Sequence, residues 1–248
     1  MIIAVLNQTS CVASEQAHLM TLAVQRQIAE HVAPAWGRLS VPVVYYSDPS
    51  TVPTDASTPI WPVVLRDQPD QDGVLGWHSE SGLPFGFVFA KPVLDSGGVV
   101  LWDERLSQSV AAVLSHEVIE TLIDAYVNVW VDGPICDVGV SYAMEACDPV
   151  ESDRYTVCAV ENDPAGQPVT VSNFVYPAWF DTSALNPKLD HMGTCQKPFT
   201  LAPGGYLVAR WKPGDEAPMF GDTLLPEWKR KLKQLPTSRT SRRKLAIR

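Results

Sequence analysis

The sequence predicts an α/β fold of the α+β kind: a mixed sheet with a backing helix and a second helix carrying the chemistry, then a β-rich C-terminal portion and a basic tail. Three observations predict it. Short apolar runs and helical periodicities follow one another as a strand, a helix, a run of strands and a second helix before residue 126, the order of helices layered on a sheet. Beyond it, the strand-like pieces DRYTVCAV, PVTVSNFVY and GGYLVARW stand between Gly, Pro and Asp turns. Finally, Lys229 to Arg248 holds nine Lys or Arg and no acid within a chain of net charge −9, so the body before it carries −18. The boundaries expected are 1–128 for the N-terminal core, 129–228 for the β-rich portion completing a cleft, and 229–248 for the arm.

The elements are justified in chain order. IIAVLN reads as a short buried strand. Residues 14–32 place apolar side chains at helical spacing behind Ser14 as N-cap, and Pro34 is expected to stop that helix. VPVVYYS and WPVVLRD are strands by their β-branched content, and the Pro/Ser/Thr-rich stretch between them is a loop. GVLGWHSESGLPFGFVFAKPV gives two strands around a Gly/Pro turn, with Phe85, Phe87 and Phe89 alternating along one face. The prolines flanking FGFVFA suggest an edge strand. A helix from near Glu104 to near Tyr126 follows, with Val110, Leu114 and Val118 on one arc and His116, Glu117, Glu120 and Asp124 on the other.

Composition narrows the class of protein. With 46% hydrophobic and 19% charged residues and 22 aromatic side chains, wholesale disorder is excluded. No apolar run approaches the roughly 20 residues of a membrane helix, and MIIAVLNQTS lacks the pattern of a secretory signal. A soluble protein of cytoplasmic synthesis, with no membrane partner, is the expectation. The five cysteines are an odd set without C-x-x-C spacing, which argues against a disulfide framework and points to reduced core residues.

The informative segment is His116-Glu117-Val118-Ile119-Glu120. Side chains at i and i+4 of a helix stack one turn apart, so His116 and Glu120 can grip one metal ion. Glu117 projects about 100° away, where it can act as general base on a water beside that ion. Four polar residues on one helical face are equally the mark of a solvated surface. The apolar character of the rest of the helix, and a downstream acidic cluster of Glu145, Asp148, Glu151 and Asp153, favour the metal. Carboxylates gathered without basic partners repel one another unless a cation or protons intervene.

The element order and the His-Glu helix resemble the zincin metallopeptidase fold over residues 1–126, with Glu120 where the second histidine of H-E-x-x-H stands. The resulting H-E-x-x-E, with Glu145-Ala146-Cys147-Asp148-Pro149 and Ser172-Asn173-Phe174-Val175-Tyr176-Pro177-Ala178-Trp179-Phe180 after it, resembles uncharacterised zincin-like proteins of bacteria and phage genomes. The resemblance implies a metal-dependent peptidase or hydrolase with a third, downstream ligand: Glu145 or Asp148, the other acid orienting His116, with His191 in reserve. Zinc is the implied ion, and the oxygen-rich set leaves manganese, calcium or magnesium open. The Phe85, Phe87 and Phe89 strand is expected to pair with an extended peptide or protein substrate. The alternative is a non-catalytic structural component of a phage virion on the same scaffold.

The remaining residues read as structural. His78, beside Trp77, is expected to pack, Cys147 to be buried, and Asp124 to be solvent-exposed near the helix end. His18 and His31 carry no expected chemistry, and Gly204-Gly205 reads as a turn. The basic arm 229–248 either solubilises the chain or docks on a virion or homo-oligomer neighbour or on nucleic acid, where each neutralised phosphate adds salt-dependent affinity.

Overall fold

A computed structural model describes residues 1–54, 57–69, 73–134, 140–160, 166–212 and 215–221; Cys136 and the basic arm lie outside the described residues. The β-branched run Ile2–Asn7 (β1) lies between two parallel partners, Val43–Tyr46 (β2) and Ile60–Arg66 (β3). Leu83–Phe89 (β5) continues the sheet parallel to β3, and Gly76–Ser81 (β4) closes it antiparallel, in the order β2-β1-β3-β5-β4. Strand alternation divides the side chains between two faces. Ile3, Val5, Val63, Leu65 and Val88 are buried in the main core under the helices. Trp77 pairs across from Phe87 on the opposite face and makes edge contacts with Phe85 and Phe87.

The expected edge strand is therefore interior. β5 is bonded on both sides, and the free edge belongs to β4. Pro84 lies beside the Gly82 turn of the β4–β5 hairpin, and Pro92 falls beyond the strand, inside Ala90–Asp95 (α3), so neither proline interrupts the centre of the ladder.

Two helices cover the core face. Ser14–Gln27 (α1) takes Ala13 rather than Ser14 as its cap, and the Ala13 N–H donates to Gln16 Oε1 at 3.0 Å. Pro34 does not end it: the chain runs on through a π turn, Ile28–Val32, into Ala33–Ala35 (α2), and the wider turn ahead of Pro34 accommodates its ring and missing N–H. The motif helix, Val110–Ile123 (α4), starts six residues later than the periodicity suggests. Asp103 accepts from the N–H and hydroxyl of Ser107 in a turn that ends at Ser109, whose Oγ caps the Ala112 N–H at 2.9 Å. Every α4 residue except His116 is buried, because the helix packs against β4 and β5 and also against the second half of the chain.

That second half supplies an antiparallel sheet, β11-β10-β7-β6, from Trp130–Asp132 (β6), Ser141–Ala143 (β7), Tyr206–Lys212 (β10) and Asp215–Phe220 (β11). A hairpin of Arg154–Cys158 (β8) and Pro168–Ser172 (β9) lies against α4. One apolar cluster runs through both halves, from Ile3 to Ala209. Gly205 is needed for close approach: a Cβ there would lie 2.0 Å from the Pro149 carbonyl oxygen, just behind Asp148. Among the described residues no helix is long and apolar enough to cross a membrane.

A buried polar knot fixes α4 to α1 and β9. Ser115 Oγ donates to Gln27 Oε1 at 2.6 Å and accepts from the Ser172 N–H, while Gln27 Nε2 donates to the Ser172 carbonyl at 2.8 Å. All three residues are at most 3% exposed, so water cannot replace a lost partner. Ser115→Ala is predicted to lower unfolding free energy by about 1–3 kcal/mol in urea denaturation, with the helix content of the folded state unchanged.

Candidate metal centre

The site is built around the carboxylate of Glu120. Its Oε1 accepts the backbone N–H groups of Cys147 (3.0 Å) and Asp148 (3.3 Å), which ties α4 to residues 145–150. Its Oε2 lies 3.1 Å from His116 Nε2, the i, i+4 contact that helical spacing requires. Asp148 Oδ1 sits 3.3 Å from the same nitrogen. The Cys147 Sγ donates weakly to the His116 carbonyl at 3.9 Å.

His78 enters from β4, contrary to the expectation that it merely packs. Its Nδ1 lies 3.5 Å from Glu117 Oε2 and 3.8 Å from Glu120 Oε2, and its Nε2 lies 3.7 Å from Glu145 Oε2. The signal was present in the strand alternation: Trp77 and Ser79 share a face with the phenylalanines, so His78 had to face the other way, toward α4. The sheet order, unknown from sequence, makes that direction the site. Gly76 belongs to the same face, and a Cβ there would lie 2.6 Å from Glu117 Oε1.

Potential ligand atoms within 4.8 Å of one another fall into two groups among the described residues: His116, Glu120 and Cys147, and His78, Glu120 and Glu145. His116 and Glu120 thus come together, with Cys147 completing their group and Asp148 against the imidazole. Glu145 closes with His78 instead. His191 joins neither group. It stacks on both His31 and Tyr155, with ring centroids at 4.5 and 4.6 Å. Asp124 is buried, not solvated, because its carboxylate accepts the N–H groups of Asn128 and Val129 in the turn after α4. Phe85, Phe87 and Phe89 do not line the site: alternation turns them to the far face of the sheet, where Phe87 and Phe89 cluster with Trp77, Tyr206 and Phe220.

Burial dominates the electrostatics. Glu117, Glu120, Glu145 and Asp148 are 3–7% exposed. Desolvation raises Asp148 to about 7, with the Glu120 charge adding to it. Desolvation likewise raises Glu117, and the imidazoles offset only part of the shift. Burial alone would also raise Glu120, yet His116, His78 and the Cys147 N–H outweigh it and hold this carboxyl below its ordinary value. Burial disfavours the His116 imidazolium, but Glu120, then Cys147 and Asp148, overcome it and raise the group well above 6.5. The Cys147 thiol is pushed up by burial.

The residues present fit a divalent cation. His78 Nε2, Glu117 Oε2 and Asp148 Oδ1 are buried without a hydrogen bond, a costly state that a positive ion relieves. His116, Glu120 and a Cys147 thiolate form the N, O, S donor set that suits zinc. A small cleft reaches His116 and Glu117 between residues 73–76, Arg154 and Tyr206. The chain matches no known protein-family model, curated protein or solved structure.

Two outcomes follow from this geometry. Gly76→Ala displaces the Glu117 carboxylate without removing any ligand atom, and such overpacking is predicted to cost about 1–3 kcal/mol in thermal or urea unfolding. The second concerns pH. Asp148 is protonated up to about 7 in the fold but only to about 3.8 when unfolded, so its contribution is complete below 3.8 and is lost as pH rises toward 7. Glu117 has the same sign, and Glu120 the opposite, its contribution disappearing as pH falls below 4.5. The metal-free protein is therefore predicted to lose thermal stability between about pH 5 and 7, and saturating divalent cation to reduce that loss.

Proposed function

We propose that the protein is a zincin-like, metal-dependent hydrolase of peptidase type. The observation carrying this reading is the His116–Glu120 contact at 3.1 Å, with Cys147 and Asp148 beside it and Glu117 one residue along, opening on a cleft. His116, Glu120 and Cys147 would hold the ion, and Asp148, whose Oδ1 meets the same His116 nitrogen at 3.3 Å, stands where it can add a further oxygen. A divalent ion there supplies Lewis acidity toward an acyl carbonyl and lowers the pKa of water.

The remaining chemistry belongs to the chain. Glu117, raised by burial, is suited to take a proton from the attacking water and return it to the leaving amine. Gly76 keeps β4 close enough to confine that carboxylate. The free edge of β4, rather than the phenylalanine strand, offers backbone N–H and C=O groups to an extended peptide next to Glu117. His78, at 3.5 Å from Glu117 Oε2, limits where the proton can go.

Glu117→Gln keeps the size of the side chain and removes the base. Peptide-library hydrolysis by this variant is predicted to fall by at least about 10²–10⁴-fold with metal content and thermal midpoint retained. His116→Ala is predicted to lose both zinc and turnover. Unchanged turnover in Glu117→Gln removes that residue from the mechanism. A zinc-loaded parent without turnover on any peptide favours an ion of purely structural role.

A further inference from the structure

We propose that the centre holds a second cation, between His78, Glu120 and Glu145, and that the Glu120 carboxylate lies between the two ions. This rests on the reading that the His116 group holds the first. Glu120 Oε1 is committed to two backbone N–H groups, so Oε2 is the atom left for ligation. That oxygen lies 3.1 Å from His116 Nε2 and 3.8 Å from His78 Nδ1, and one ring nitrogen of His78 lies within 4.8 Å of a carboxylate oxygen of Glu120 and of one of Glu145 at the same time. The two rings come from different elements and reach it from different sides, and their ligand atoms close into separate groups with Glu120 as the shared member.

His78 gives the independent indication of a ligand. Its side chain is 95% buried, as its 5% exposure shows, and Nε2 has no hydrogen bond although it points at Glu145 Oε2 3.7 Å away. An N–H···O bond would close to about 2.9 Å, whereas two ligands on one cation stand roughly 3–4 Å apart, or about 4.6–5.2 Å when opposite one another on a large ion. Charge points the same way. Glu117, Glu120, Glu145 and Asp148 bring four buried carboxyl groups together, a crowding that cations relieve.

The donor sets differ in kind. The His116 group contains a thiol, whereas the His78 group is one nitrogen and two carboxylates, a harder set at which manganese competes better with zinc than it does beside a thiol. The second ion is accordingly of the manganese class. Glu120 as a shared ligand places the two cations close together, the arrangement in which a pair of metals can act on one substrate group.

The test is titration of chelator-treated, full-length protein with Zn2+ and Mn2+, read by elemental analysis after equilibrium dialysis and by manganese electron paramagnetic resonance. One equivalent of each ion, held together, is expected. His78→Asn and Glu145→Gln should each weaken Mn2+ by at least about 10–100-fold, since even changes beyond the ligands have that effect, while zinc stays bound. Retained zinc in both variants shows that the His116 side of the site remains folded. Zinc binding without manganese, competition of both for one shared equivalent, or manganese retained in both variants overturns the second position and leaves the first ion standing. Failure of both metals to bind overturns the first ion as well.

Discussion

Glu120 is the constraint on which the site depends. One oxygen receives the backbone N–H groups of Cys147 and Asp148, and the other meets His116. A charge-assisted bond to backbone is among the stronger hydrogen bonds, and here it is made in the protein interior. It fixes the 145–150 segment against α4, which puts Asp148 beside the imidazole and Cys147 within ligand reach. Gly205 then allows the chain to pass directly behind Pro149, and the Ala202 N–H donates to the Pro149 carbonyl at 2.9 Å. The second half of the molecule is thereby held to the same helix.

Placing so much charge on a buried helix has a physical cost that the surroundings offset. α4 is covered on nearly all sides, so its polar residues cannot relax into water as an amphipathic surface helix would allow. Ser115 is satisfied by Gln27 and Ser172, and Asp124 by the turn that follows. His116, Glu117 and Glu120 find mainly one another and His78. Ser115 and Asp124 are structural polar groups with partners on hand, whereas Glu117 Oε2, against His78, is buried without a hydrogen bond.

The sequence made the local half of this legible. Hydrophobic periodicity gave the strand and helix order, and the i, i+4 rule gave the His116–Glu120 contact, because both depend on neighbours in the chain. What depends on sheet order was not legible. β5 read as an edge from its prolines, yet edge status is decided by which strands pair, and β4 returns outside it. His78 was hidden for the same reason, since alternation assigns it a face but not what that face meets. Asp124 was misjudged because a helix end is solvated only when nothing folds over it. Which downstream acid meets which histidine is set by the path of residues 145–150, and no spacing in the sequence contains it.

That division between local and distant parts bears on how the site forms. His116, Glu117 and Glu120 are brought together by any helical turn, but His78 stands 38 residues before His116 and Glu145 stands 25 after Glu120. Only the native topology collects them. In the unfolded chain the same carboxylates are solvated and the Glu117–Glu120 pair is far from the Glu145–Asp148 pair, so most of their mutual repulsion is a property of the folded state. A cation that binds the assembled cluster and not the dispersed one contributes its differential affinity directly to folding. With an ion bound as proposed, the core need not overcome the desolvation of four acids unaided. The apolar residues of α1, α4 and the sheet build the frame that gathers these side chains, and such an ion would supply free energy that makes a buried acidic cluster tolerable within it.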